Sequence, residues 1–77
     1  MTPHSAISKR VHPARRHLIA ADAALSADLH LCSVDLVSVA CDLEEAHGFM
    51  FPGEPETRWQ TVADVVADFE AMVGVVA

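Results

Sequence analysis

The chain has little of what a β-sheet or a disulfide-linked fold requires. It contains no tyrosine, one tryptophan, three phenylalanines and two cysteines in 77 residues. Aromatic residues make up 5% of the sequence and hydrophobic residues 52%, so we expect a core built from Ala, Val and Leu. This composition is too apolar for a disordered chain and favours one small helical domain, near the lower size limit for independent folding.

The two cysteines are badly spaced for a disulfide. Cys32 and Cys41 are nine positions apart, and nine residues of a helix rise about 13 Å, whereas a disulfide needs Cα atoms within about 7 Å. We expect two free thiols that pack as small buried or half-buried apolar side chains. A metal site formed by the two cysteines with His30 and His47 is not expected, because the chain has no C-x-x-C or H-x-x-x-H pair.

Long apolar runs are also missing. No segment approaches the roughly 20 apolar residues of a membrane-spanning helix, and no apolar stretch follows the first basic residues as it would in a secretory signal. We therefore expect no membrane association and a cytoplasmic location with reduced thiols. The sequence has no Gly-rich phosphate loop and no nucleophile paired with a base, so we expect no enzyme activity.

Positive charge is scarce after the first sixteen residues. Four of the five basic residues precede every acidic residue: Lys9, Arg10, Arg15 and Arg16. The rest of the chain holds all eleven acidic residues and one arginine, and the formal net charge is −6. An acidic surface of this kind repels nucleic acid and favours basic patches on other proteins. A solvated face that only keeps the protein soluble has the same composition.

The clearest helix signal covers residues 33–47. Apolar side chains recur there at spacings of three and four residues, which is the period of one helix face: Leu36, Val39, Ala40, Leu43 and Ala46. Asp35 lies in the first turn, where a negative charge interacts favourably with the helix dipole. Gly48 follows as the expected stop of the helix.

The residues before this helix give weaker signals. Ile7 and Val11 are four positions apart, so we predict a short first helix over about residues 5–11. Pro13 either ends that helix or opens a new one at its first turn. Residues 18–32 have no clean period and are expected to form a long connection whose leucines reach the core.

The C-terminal third predicts one very short helix and one long helix. Pro55 is suited to open the short helix. Thr61 and Asp64 form the pattern of an N-cap with its acidic partner three residues later, and an apolar face then continues to about residue 74. The sequence therefore predicts a single all-α domain over 1–77, a small bundle of three to four helices with a long loop between helices one and two.

The order of these motifs resembles that of the acyl carrier proteins. The family pattern is approximately D-L-G-x-D-S-L-D-x-V-x-L-x-x-x-L-E-E-x-F-G-x-x-I-P, followed after a gap by T-V-x-D-x-V. The segments ADLHLCSVDLVSVACDLEEAHGFMFP and TVADVV follow it in register, and the match covers about residues 23–73. Ser33 falls on the serine that carries 4′-phosphopantetheine.

The chain departs from the family pattern around that serine. His30 replaces the glycine, Cys32 the aspartate and Val34 the leucine of the motif. The first helix, within residues 1–17, is divergent or shortened. The serine hydroxyl, which is the group that the attachment requires, is present at Ser33.

The resemblance implies an acyl-carrier-type bundle that holds acyl intermediates as thioesters on a 4′-phosphopantetheine arm, transferred from coenzyme A to Ser33. It implies delivery to fatty-acid, polyketide or related biosynthetic enzymes. The expected partners are a phosphopantetheinyl transferase and acyl-loading and acyl-transfer enzymes with basic docking patches, and the expected oligomeric state is a monomer. The residues implied in partner recognition are Val34, Asp35, Val37, Cys41, Asp42, Glu44 and Glu45. The residues implied in an acyl pocket are Val39, Leu43, Phe51, Trp59 and Val65.

Two other interpretations of the sequence remain open. In the first, a degenerate carrier-like bundle is never modified and acts as a protein-binding module through its acidic second helix. In the second, a small helical bundle dimerises to complete its core. In that case Ser33 only caps the second helix, which is a favoured role for serine.

Overall fold

The computed structural model describes residues 1–76, with side chains through residue 74. Its helices are α1 (Pro3–Arg10), a 3₁₀ turn (Pro13–Leu18), α2 (Ser33–His47), α3 (Pro55–Arg58) and α4 (Val62–Val76). Helix α1 packs against α2 and α4, and α3 packs against α2. Residues 1–76 form no β-strand, so the prediction of an all-α fold is confirmed for them. None of their helices is long and apolar enough to cross a bilayer.

Helix α1 begins two residues earlier than the apolar spacing predicted. Thr2 is its N-cap: the Ser5 N–H donates to Thr2 Oγ1 at 3.1 Å, and the Thr2 N–H donates to Ser5 Oγ at 3.0 Å. Pro3 occupies the first helical position, where a missing N–H costs nothing. This reciprocal cap, rather than an apolar face, sets the start of α1.

Pro13 was predicted either to end the first helix or to open a new one. It opens a new element, the 3₁₀ turn. His12 precedes it, and its Nδ1 accepts the Ala14 N–H at 3.1 Å. Leu18, at the end of the turn, is 39% exposed. The expectation that all leucines of residues 18–32 reach the core is therefore wrong for Leu18, although Leu25, Leu29 and Leu31 are buried.

The long connection before α2 is held in place by backbone hydrogen bonds to the start of α4. The Leu25 N–H donates to the Gln60 carbonyl at 2.9 Å, and the Val62 N–H donates to the Ala23 carbonyl at 3.1 Å. Within the connection, an oxygen of Asp28 accepts the Ala24 N–H at 2.8 Å. The loop thus has a fixed path and delivers the chain to the first residue of α2.

Helix α2 has the predicted bounds. Its buried face holds Leu36, Val39, Ala40 and Leu43. Gly48 ends it with a left-handed φ of 74°, a conformation that glycine adopts without strain. Ala46, predicted on the same apolar face, is exposed, because it lies near the helix end and on the flank of the buried face.

The core was expected to consist of Ala, Val and Leu. At the end of the protein where α2 finishes, the core is aromatic instead. All four Phe and Trp residues lie there: Phe49, Phe51 and Trp59 are buried, and Phe69 packs against them half-buried. The rings of Phe49 and Phe51 meet edge to face with centroids 4.9 Å apart. Helix α4 also continues past Gly74, because that glycine does not adopt a left-handed backbone.

Candidate functional site

Ser33 is exposed and is the first residue inside α2. The residue before it, Cys32, is the N-cap, so the interpretation of Ser33 as the cap of this helix is wrong. An oxygen of Asp35 accepts the Cys32 N–H at 3.0 Å, which ties the start of the helix together. Within the described chain the Ser33 hydroxyl makes no hydrogen bond.

Two backbone N–H groups in the first turn of α2 are free within the part of the chain that the structure describes. The N–H groups of Ser33 and Val34 have no acceptor among residues 1–76, as is usual for the first turn of a helix. Such groups, together with the positive end of the helix dipole, favour a bound phosphate. The start of α2 can therefore accommodate a phosphodiester attached to Ser33.

The residue three positions before Ser33 has an unusual backbone. His30 has a φ of 58°, and within residues 1–76 it is the one non-glycine residue with a positive φ. This left-handed conformation is the one in which glycine is favoured. His30 stands where the carrier motif has its glycine, so the backbone at this position has the geometry that the motif's glycine would permit.

Four of the seven predicted partner residues form one exposed stripe along α2. We define the α2 stripe by Val34, Val37, Cys41 and Glu45. Val34 is 70% exposed and Val37 41% exposed. Spacings of three and four residues place all four on one side of the helix, opposite the buried face. The stripe starts one residue after Ser33.

The other three predicted partner residues, all acidic, have contacts within the chain. Asp35 accepts the Cys32 N–H, and an oxygen of Glu44 accepts the Phe51 N–H at 2.7 Å. Asp42 lies between the two last cations of α1, with one oxygen 3.7 Å from Lys9 Nζ and 3.6 Å from Arg10 Nη2. These acids are half-buried. The acidic face of α2 is therefore narrower than the sequence predicted.

Both cysteines are exposed free thiols, so the expectation that they are buried or half-buried is wrong. Cys32 projects from the helix as its N-cap, with Sγ 3.3 Å from an Asp35 oxygen. Cys41 belongs to the α2 stripe, on the side opposite the core. Among the residues searched, no three His, Cys, Asp or Glu side chains are arranged to hold a metal ion.

The five residues predicted to line an acyl pocket lie together in the core. Val39, Leu43 and Val65 are fully buried, and Phe51 and Trp59 are nearly so. The rings of Phe51 and Trp59 are perpendicular, with centroids 5.2 Å apart. No pocket opens between them or elsewhere in the described part of the chain.

One cluster beside this core was not predicted. The same oxygen of Asp68 accepts Arg58 Nη2 and Trp59 Nε1, each at 2.7 Å, and Arg58 Nη1 donates to the Pro52 carbonyl at 2.6 Å. Burial raises the pKa of Asp68, but the hydrogen bonds from Arg58 and Trp59 outweigh it and hold the pKa below its ordinary value. A buried indole N–H usually has an acceptor, which was the signal available in the sequence, but spacing alone does not identify Asp68.

Comparison with known proteins gives no family for the chain. A scan against protein-family models, a search of curated proteins and a search of solved structures each found no match. Function therefore has to be inferred from the residues around Ser33 and from the order of the chain's motifs.

Proposed function

We propose that this protein is an acyl carrier protein that holds acyl groups as thioesters on a 4′-phosphopantetheine arm attached to Ser33, for fatty-acid, polyketide or related biosynthesis. The observation that carries the proposal is the state of Ser33. Its hydroxyl is exposed at the first residue of α2 and has no hydrogen bond within the described chain, while Cys32 and Asp35 cap the helix. A serine without a structural role at that place is suited to carry a chemical group.

The backbone of His30 supports the same proposal independently of Ser33. The carrier motif has glycine at this position, and His30 has the left-handed φ of 58° that favours glycine. The long connection also leads directly from this turn into α2, as the motif order requires. A small helical bundle that is unrelated to carrier proteins is not expected to combine a left-handed residue at this position with a connection that leads directly into α2.

The chemistry of attachment is a phosphoryl transfer from coenzyme A. The Ser33 oxygen forms a bond to the phosphorus next to the pantetheine, the diphosphate bond breaks, and adenosine 3′,5′-bisphosphate leaves. The hydroxyl proton passes to a base of the transferase. The N–H groups of Ser33 and Val34 are the groups of this chain that would hold the new phosphodiester. When bound, the arm supplies a terminal thiol for thioester formation.

The α2 stripe is the proposed docking surface for the transferase and for acyl-loading and acyl-transfer enzymes. Val34 and Val37 supply exposed apolar contacts beside Ser33, and Glu45 supplies a charge that no cation of the described chain pairs with. Basic patches on partner enzymes complement this charge and the acidic surface around it. Asp35, Asp42 and Glu44 add to the field, although each also has a contact inside the chain.

The test is intact-mass spectrometry after incubation with coenzyme A, Mg²⁺ and a broad-specificity phosphopantetheinyl transferase. We expect a gain of one phosphopantetheinyl group on the parent and on the Ser38→Ala control, and no gain on Ser33→Ala. Ser33→Ala should keep its free energy of unfolding within about 0.5 kcal/mol, because no cap is lost. An unmodified mass for the protein purified from its native cells would contradict the proposal.

The α2 stripe also favours a second candidate, an unmodified protein-binding module with the same fold. An exposed run of apolar side chains rimmed by charge is typical of an interaction surface. For this module, Val34→Asp and Glu45→Lys weaken partner binding whereas Ser33→Ala leaves it unchanged. The carrier proposal differs, since Ser33→Ala abolishes acyl loading.

A further inference from the structure

The interior next to α2 is filled by aromatic side chains. Phe51 and Trp59 lie edge to face, Phe49 contacts Phe51, and Phe69 contacts Phe49 at a centroid distance of 6.0 Å. The aliphatic residues around them, such as Leu43, are fully buried. Interiors packed in this way have no space for additional methylene groups unless side chains move.

One of the two rings that would have to move, the Trp59 indole, is held by a polar contact, and the other ring belongs to a residue whose backbone is fixed. Trp59 Nε1 donates to Asp68, and Asp68 is in turn paired with Arg58. The Phe51 N–H donates to a half-buried oxygen of Glu44. Displacing the Trp59 ring by an alkyl chain breaks a hydrogen bond as well as aromatic packing, and displacing the Phe51 ring breaks its edge-to-face packing against Trp59 and Phe49. Both losses oppose the entry of an alkyl chain.

A long alkyl chain is also unfavourable outside the bundle. It would expose apolar area to water, or it would cover Val34 and Val37 of the α2 stripe, which the proposed partners need. A short acyl group, or one with polar substituents, has neither disadvantage. The packed core and the α2 stripe thereby restrict the size and polarity of the acyl group that the arm can hold.

We propose that this protein carries short or polar acyl groups, which stay outside the bundle, and does not take long alkyl chains into its core. The proposal rests on the carrier function assigned to Ser33. It departs from the acyl pocket that the sequence resemblance implied, because Val39, Leu43, Phe51, Trp59 and Val65 are packed together without a cavity between them.

The experiment loads Ser33 with acetyl and with octanoyl arms from the corresponding acyl-coenzyme A, and intact mass confirms loading. Three quantities are then compared between the two forms: the Tm, the emission of Trp59, which is the only tryptophan of the chain, and the rate of thioester cleavage by hydroxylamine. We expect the same Tm and the same emission for both forms. We also expect each thioester to react at the rate of the same acyl-pantetheine free in solution.

A matched pair of variants shows that the assay can detect entry of a chain. Leu43→Ala removes a fully buried side chain and leaves space in the core, so the octanoyl form of this variant should have a higher Tm than its acetyl form. Met50→Ala removes an exposed side chain that lies outside the α2 stripe and should show no such difference. If Leu43→Ala fails to fold, the hydroxylamine rates of the parent protein still decide the question.

The result that would overturn the inference is a parent protein whose octanoyl form has a raised Tm, a shifted Trp59 emission and a slowed reaction with hydroxylamine. Those observations would mean that the core opens to admit the octanoyl group. The proposed carrier function would still stand. Absence of any mass gain at Ser33 is a different failure, since it would overturn the carrier function and this inference together.

Discussion

Glu44 and Glu45 are adjacent acids of α2, and the structure gives them different roles. An oxygen of Glu44 accepts the Phe51 N–H at 2.7 Å beside the aromatic core. Glu44→Ala leaves that half-buried N–H without an acceptor, which costs about 1–3 kcal/mol. Alanine is a strong helix former, so helix propensity does not add to the loss. For a domain of this size, a loss of about 2 kcal/mol lowers the Tm by about 8–16 °C.

The assay is thermal unfolding followed by far-UV circular dichroism, with Glu45→Ala as the matched control. Glu45 has no hydrogen bond or ion pair within the described chain, so its truncation should change the free energy of unfolding by less than about 0.5 kcal/mol. Glu44→Gln keeps an oxygen acceptor and should recover most of the loss. Equal Tm values for Glu44→Ala and Glu45→Ala would refute the assignment of Glu44 as the link between α2 and Phe51.

Two further predictions concern backbone strain and acid stability. His30→Gly removes a side chain from a left-handed backbone and should raise the free energy of unfolding by about 1 kcal/mol in urea denaturation; a decrease would show that the His30 side chain contributes more than the strain costs. The pKa of Asp68 is held below its ordinary value of 3.8, so its contribution to stability is complete above that pH and is lost as the pH falls through the folded-state pKa. Asp68→Asn should therefore flatten the fall of the urea midpoint with acid, whereas an unchanged slope would mean that the pair with Arg58 contributes nothing.

Local patterns in the sequence were enough to predict the elements that depend on local contacts. Helix α2 has its predicted bounds because its apolar period and Gly48 both act within the helix. The cap of α4 was also predictable, since Thr61 and Asp64 are three residues apart, and an Asp64 oxygen accepts the Thr61 N–H at 3.0 Å. The start of α1 was missed because the prediction followed apolar spacing and gave no weight to the cap formed by Thr2.

Contacts between distant residues were not predictable in the same way. The sequence assigns seven residues of one helix to partner recognition, and four of the seven are acidic. The structure divides these residues into exposed ones and ones with contacts inside the chain, according to what packs against α2. Helix α1 places Lys9 and Arg10 beside Asp42, and the turn after α2 places the Phe51 N–H beside Glu44. Neither neighbour can be identified from spacing along the chain, so only the α2 stripe keeps the exposure that docking requires.

The first turn of α2 separates two roles that a serine can have at the start of a helix. A capping serine is explained by stability, because its oxygen accepts a backbone N–H. Here Cys32 is the N-cap and the Asp35 carboxylate supplies the acceptor, so Ser33 supplies no acceptor to α2. Alanine at position 33 would therefore remove no cap from α2. Capping therefore gives no reason for a serine at position 33, whereas the proposed attachment of a phosphopantetheine arm requires its hydroxyl.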